Sequence, residues 1–304
     1  MKNLLRKILF ITILVSIIAI PTQSIFAQDK KIVIGGKNFT DQYIMPEIAR
    51  ILLENEGFDV TLKTGVGTTL LRKALESGQV DMYFEYTGSA YTVFFKQEDK
   101  AIMTDPDKIY NWVKNEDAKN GLVWTKRIKH NNTYTLMMRK EDAEKKGIYS
   151  ISDLAAYVNK HPKELIFGMN PEFWERPDGF RAIMKVYGFK VPVENMKKMS
   201  TGLCYTALKE EKTNASMGFS TDGRIVAFGF INLKDDKHFF PVYNPCPVIR
   251  KEVLDKYPEI NQIIDPMREL GETDMQHLNK AVDVDRKSLK EVSEGWLKKK
   301  GFIK

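Results

Sequence analysis

Lys31-Ile32-Val33-Ile34-Gly35-Gly36-Lys37-Asn38-Phe39-Thr40-Asp41-Gln42 opens as a short apolar strand and ends in a polar, aromatic run just where helical spacing begins. Ile44, Ile48, Ile51 and Leu52 then share one helical face, and Gly57 stands just past its end. Pro46 removes a hydrogen bond inside that helix, so a kink or a late start is expected. A second strand is expected over 59–63, followed by a turn at Gly65-Val66-Gly67. Thr68 is placed to cap a helix whose Leu70, Leu71, Ala74 and Leu75 face the sheet, with Gly78 closing it and a third strand over 80–84. Strand, helix, strand, helix, strand is the order of an α/β unit with a mainly parallel sheet. The loop at Gly65 lacks the spacing and the Lys-Ser/Thr of a phosphate-binding loop, so it reads as a plain turn.

A second unit of the same kind begins near Asn131. Ser152 is placed to cap a helix, a strand is expected over 165–168, and a helix over 179–187 stops at Gly188. Another helix over 203–209 and a buried strand over 215–219 follow. The chain after Tyr243 is helical, and Leu289, Val292 and Trp296 form one apolar stripe before Lys298-Lys299-Lys300.

Strand ends in such units converge on a crevice, where polar and aromatic side chains meet a small molecule. Two segments stand there: the run from Lys37 to Gln42, and Glu85-Tyr86-Thr87-Gly88-Ser89 after the third strand. Tyr86 follows Met82 and Phe84, which already fill the inward positions of their strand.

Lys2, Arg6 and Lys7 precede an apolar stretch over 8–20, and Ile25-Phe26-Ala27 offers a cleavage site, so residues 1–27 read as a secretory signal. No Cys closely follows that stretch to accept a lipid, and a free periplasmic protein is the expectation. The formal charge of +7 falls to +4 once those three cations leave, and the remaining Lys residues are dispersed rather than gathered in a basic stripe. Nucleic acid is not an expected partner. Four His and two Cys supply no metal-ligand spacing, so neither a metal nor a cofactor is expected. An exported chain permits a bridge between Cys204 and Cys246, but sequence does not give the separation that one requires.

The two crevice segments, together with Asn131-Asn132-Thr133-Tyr134, Trp174-Glu175-Arg176-Pro177-Asp178-Gly179, Ser220-Thr221-Asp222-Gly223-Arg224-Ile225 and Phe239-Phe240-Pro241-Val242-Tyr243, occur in one order along the chain. In that order they resemble the substrate-binding proteins of quaternary-amine ABC importers, which carry glycine betaine, choline and carnitine. The resemblance covers nearly the whole exported portion. It implies a two-lobed periplasmic-binding-protein fold of type II, each lobe a central mainly parallel sheet flanked by helices. Lobe 1 would comprise 28–131 and 243–304, lobe 2 would comprise 132–242, and two hinge crossings would join them near 131–134 and 241–243.

A trimethylammonium group carries a permanent charge and has no N–H, so acceptors cannot grip it directionally. Aromatic faces can, at roughly 0.5 to 2 kcal/mol each. The resemblance places Tyr86, Tyr134, Phe219 and Tyr243 as the cage, with Phe219 where the family usually has Tyr; the face is kept and a hydroxyl is lost. It places Lys37 and Arg176 at the carboxylate end of a betaine, with Ser89, where Thr is commoner, and Asn132 beside them. The bland alternatives are a salt bridge from Arg176 to Glu175 or Asp178, a solvated Lys37, and core roles for the aromatics. Thr40 and Gln42 are expected to cap and orient the helix start.

The implied function is capture of a quaternary amine for osmoprotectant uptake, as a monomer delivering to a membrane permease. The alternatives are a binder or sensor for another small solute such as an amino acid. Catalysis is not expected: Cys204 and Asp222 have no nearby His as base, and Asp222-Gly223 reads as a capping turn. Lys96-Gln97-Glu98-Asp99-Lys100 reads as a solvated loop that could contribute to docking.

Overall fold

The computed structural model describes residues 30–304, so the secretory-signal reading of 1–27 falls outside the described residues. The described residues form two five-stranded sheets. The first contains β1 (Lys30–Lys37), β2 (Phe58–Val66), β3 (Met82–Tyr86), β4 (Leu122–Trp124) and β10 (Pro245–Arg250), in the order β2-β1-β3-β10-β4. The second contains β5 (Tyr134–Arg139), β6 (Phe167–Met169), β7 (Met196–Lys198), β8 (Ala215–Phe219) and β9 (Phe230–Asn232), in the order β7-β6-β8-β5-β9.

Both sheets are built alike. In the first, β1 pairs parallel with β2 and β3, whereas β10 is antiparallel to both β3 and β4. In the second, β6 pairs parallel with β7 and β8, and β5 is antiparallel to both β8 and β9. Each sheet is therefore mixed, with a single strand opposing the rest. That strand is the one the chain enters directly after passing between sheets, because a connection arriving at the crevice must run back into the sheet from its ligand-facing end. The passages themselves are bonded to each other: Asn132 N–H donates to Tyr243 O at 3.1 Å, and Tyr243 N–H to Asn131 Oδ1 at 2.7 Å.

Helix α1 (Asp41–Asn55) starts immediately after the opening segment and carries Pro46 without interruption, so the late start does not occur. Thr40 sits at its N-cap without a side-chain cap bond; its hydroxyl donates to Asp283 instead. Gln42 ties the helix to two strands, accepting from Lys37 N–H at 3.2 Å and donating to Phe84 O at 2.9 Å. β2 runs on through the expected turn to Val66. Helix α2 (Thr68–Glu76) has Gly67 at its cap, and Thr68 is buried inside its first turn. Leu71 and Leu75 are fully buried, but Leu70 is 65% exposed, since it lies about 100° round the helix from Leu71. β3 extends two residues beyond the expected strand, so Tyr86 ends it and shares a face with Met82 and Phe84.

In the second half Ser150, not Ser152, caps α3 (Ile151–Lys160), in a reciprocal capping box with Asp153. Helix α4 (Phe180–Tyr187) stops at Gly188, whose φ of 73° suits a residue without Cβ. Helix α5 (Thr201–Lys209) precedes β8, which has the expected bounds. Helices α6 (Glu272–Asp283) and α7 (Leu289–Lys299) return against α1, with Val292 and Trp296 buried. Cys204 on α5, a helix that packs on β8, and Cys246 on β10 of the other sheet are both unbridged.

Candidate ligand-binding site

Tyr134 is the first residue of β5 and Phe219 the last of β8, and the two are direct antiparallel partners, so their rings meet at 4.9 Å between centroids. Tyr86, the last residue of β3, faces Pro245 at the start of β10, and Tyr243 stands two residues before that proline. Each sheet thus brings one strand end and one passage to the same place. Tyr134 meets Tyr243 edge-on at 5.8 Å. All eight expected residues, Lys37, Tyr86, Ser89, Asn132, Tyr134, Arg176, Phe219 and Tyr243, line a single buried cavity of about 20 Å³, together with Phe39 and Thr68.

Phe39 was quoted in the opening segment but assigned nothing there. Its ring stacks on Phe219 at 4.6 Å and lies 6.0 Å from Tyr86, closing the circuit of rings between the two sheets. Position alone could have suggested it, because it is an aromatic residue one step from a strand end. Thr68 carried a different signal, that of a cap, and this concealed it.

The polar end holds two cations, each with its own buried acid. Lys37 Nζ is 2.5 Å from Glu85 Oε1, and the side chains are 2% and 0% exposed, so Lys37 is not the solvated charge considered above. Glu85 also accepts from Tyr86 N–H at 2.7 Å and from the Tyr83 hydroxyl at 2.8 Å. Arg176 holds Asp178 in a fork, with Nε to Oδ1 at 2.7 Å and Nη2 to Oδ2 at 2.6 Å. The salt bridge to Asp178 considered for Arg176 is therefore present, and the same guanidinium donates to Ser89 Oγ at 3.1 Å. Asp178 Oδ2 further accepts from Tyr243 at 2.6 Å and Thr92 at 3.0 Å. Burial alone would raise the Asp178 pKa; the Arg176 charge and these donors outweigh it and hold the carboxyl below its ordinary value. Both cations also lie over cage rings, Arg176 5.1 Å from the Tyr134 centroid and Lys37 5.3 Å from that of Tyr86.

Behind the cage, Asn132 donates to Asp41 Oδ2 at 2.8 Å, and Asp41 Oδ1 accepts from Asn279 at 2.7 Å. The Thr221 hydroxyl donates to the same carboxylate from the second sheet's side. Asn132 Oδ1 and the Tyr86 hydroxyl are buried without a hydrogen bond of normal geometry. Burial pushes the phenols of Tyr86, Tyr134 and Tyr243 up, so all three remain neutral rings. Burial likewise pushes the Cys204 thiol up to about 12, which keeps it protonated. Among the described residues no cluster of His, Cys, Asp and Glu could hold a metal ion, and no helix is long and apolar enough to cross a membrane.

Residues 30–299 match the family model described as the substrate binding domain of the ABC-type glycine betaine transport system. The chain belongs to this family. It is 41% identical to a glycine-betaine-binding protein of Pseudomonas aeruginosa over 278 residues, covering 90% of this chain and 88% of that one. It is 34% identical to an ergothioneine transport permease/ergothioneine binding protein of Helicobacter pylori, spanning 98% of this chain and 52% of that longer protein. Among solved structures, one titled as a glycine betaine/carnitine/choline ABC transporter superposes with a TM-score of 0.70 at 32% identity, covering 88% of this chain and 98% of the other. The two-lobed binding-protein fold and the transport family are thereby both established.

Proposed function

We propose that this protein captures glycine betaine or a related quaternary amine between its two lobes and delivers it to the permease of an ABC importer. The observation that carries this reading is the convergence of five aromatic rings from both sheets on one buried cavity. Tyr86, Tyr134, Phe219 and Tyr243, with Phe39, would surround the ammonium and exclude water, and neutral phenols keep their π faces electron-rich. A cavity of about 20 Å³ has room for roughly one water molecule. The ligand therefore enters by parting the lobes about the two bonded passages, and contact with both sides favours re-closure.

Lys37, Arg176, Ser89 and Asn132 would receive the carboxylate of a betaine. Each cation there is already neutralised by Glu85 or Asp178, so the carboxylate joins a balanced arrangement instead of meeting a bare charge. Discrimination between a betaine and choline is accordingly weak. The protein would work as an exported periplasmic monomer with no catalytic step.

Titration calorimetry of the exported portion with glycine betaine, choline, carnitine, ergothioneine and glutamine tests the proposal. Binding of the quaternary amines but not glutamine is expected, and glutamine binding alone would overturn it. Ergothioneine belongs in the series because the Helicobacter pylori relative is named for it.

A further inference from the structure

Of the six segments that carry the family resemblance, Ser220-Thr221-Asp222-Gly223-Arg224-Ile225 alone puts no residue into the lining of the cage. It leaves β8 of the second sheet and lies against α6, a helix that packs on α1 and so belongs with the first. Polar contacts cross between the two halves here. The Thr221 hydroxyl donates to Asp41 at 3.2 Å, and the Thr221 carbonyl accepts from Asn279 on α6 at 3.0 Å. Arg224, aimed by its fork to Asp222, reaches Asp283 at the end of α6 at 3.2 Å. Thr40 donates to that same carboxylate at 2.9 Å, which fixes the acceptor from its own side.

Gly223 stands in the middle of this seam, at φ −64° and ψ −18°. Any residue adopts that conformation, so nothing in the backbone asks for glycine. The demand comes from across the seam. A Cβ at 223 would stand 2.6 Å from Lys280 Cβ and 2.8 Å from Lys280 Cα and N, atoms of α6 that cannot swing aside. Glycine is therefore needed for the approach of the opposite half, and only while the halves are together.

We propose that this seam is a latch that favours closure independently of the ligand, and that Gly223 is the position that lets it shut. No residue of the segment lines the cage, so the latch contributes equally whichever amine is enclosed. A change in it shifts the balance of open and closed forms and multiplies the affinity for every ligand by one factor, leaving the ratios between ligands alone. The cage then selects the ligand, and the seam sets how tightly all ligands are held. The inference rests on the reading above that the lobes part for entry.

Gly223→Ala in the exported portion tests this. The added methyl suits the local backbone and meets α6 only on closure, so the far-ultraviolet circular dichroism should be unchanged. In calorimetry, glycine betaine and choline should both weaken by about tenfold, or about 1.4 kcal/mol, with the ratio of their affinities kept within about twofold. Small-angle X-ray scattering of the ligand-free variant should give a larger radius of gyration than that of the unaltered protein. Thr221→Val keeps the volume and deletes the hydroxyl that reaches Asp41; it should lower both affinities by about threefold, again with the ratio kept.

Unchanged affinities in Gly223→Ala, or a loss confined to one ligand, would overturn the inference: the first denies the seam a part in closure, and the second makes it part of the ligand site. Should Gly223→Ala fail to fold, the same two criteria apply to Thr221→Val. Failure of both amines to bind the unaltered protein would remove the cage reading and leave the latch to scattering, where identical ligand-free curves for the unaltered protein and Gly223→Ala would overturn it.

Discussion

Replacing Arg176 by Met keeps most of the side chain's volume and removes its charge, leaving Asp178 in a site where the two side chains were 4% and 3% exposed. Breaking a buried pair by removing one partner costs about 3–5 kcal/mol. A ceiling follows from the alternative open to the carboxyl, which is to take up a proton on folding. From an ordinary value near 4, that costs about 1.4 kcal/mol per pH unit, or roughly 4 kcal/mol at pH 7 and about 1.5 kcal/mol at pH 5. The Tyr243 and Thr92 hydroxyls at 2.6 and 3.0 Å soften the loss without replacing a charge. The sign is definite. With Arg176 present, the folded pKa of Asp178 is depressed, so its contribution is full above about pH 4 and is lost as pH falls through the folded value. In the variant that pKa is raised, and the penalty grows as pH rises above 4. Urea unfolding at pH 5, 6 and 7 should therefore show a gap from the unaltered protein that widens with pH, and Arg176→Met with Asp178→Asn should recover most of it. A gap below about 1 kcal/mol at pH 7, or one equal at pH 5 and 7, would refute the argument. Because Arg176 would receive the betaine carboxylate as well as support Tyr243 through Asp178, both ligands should weaken and glycine betaine more than choline; equal losses would leave Arg176 the supporting role alone.

Tyr86→Ala removes one face of the cage and should weaken every quaternary amine by about 0.5–2 kcal/mol, or roughly 2- to 30-fold, in calorimetry; loss confined to one ligand would contradict a cage. Gly88→Ala would set a Cβ 2.7 Å from Tyr243 Cδ1 and 2.9 Å from Pro241 Cγ, so the ring must move, and binding should fall by at least about fivefold with the fold retained by circular dichroism. Asp283, raised to about 6 chiefly by burial and by Asp222 and Asp41 against the opposing Arg224, should add stability that is full below about pH 4 and lost as pH rises through 6. Asp283→Asn should flatten that part of the stability profile, by at most about 3 kcal/mol, as read by urea unfolding between pH 4 and 8.

The strands and the cage aromatics were legible because their signals are local. A buried five-residue run such as β8 can be read from its own residues, and Tyr86 or Tyr134 from standing at a strand end. Caps were less legible: Thr68 and Ser152 are good capping residues by type, but Gly67 and Ser150 hold those positions, and nothing within a few residues decides between neighbours one or two steps apart. One counter-ion was in plain view and unread. Glu85 lies inside an otherwise apolar strand, and a buried carboxylate demands a partner, which could have pointed to a buried Lys37. Asp178 was considered for Arg176 as an alternative to a binding role, when the geometry makes it part of the site's support through Tyr243. The Phe39–Phe219 contact joins residues 180 positions apart, and no periodicity reports a pairing made only when two sheets meet.

The Phe at 219, where the family resemblance leads one to expect Tyr, acquires a physical reason once Phe39 is included. Antiparallel pairing places the 219 ring directly against Tyr134, and Phe39 covers it at 4.6 Å from the other lobe. A phenol at 219 would have to bury its hydroxyl within this stack or find a partner there, at about 1–3 kcal/mol if it found none. The cage already contains one such group, the Tyr86 hydroxyl. Dispensing with a second leaves an apolar contact between the lobes that has no directional bond to break when they part. Closure then combines directional bonds, from Ser89 and Thr92 to Arg176 and Asp178, from Thr221 to Asp41 and from Arg224 to Asp283 at 3.2 Å, with non-directional stacking of Phe39 on Phe219.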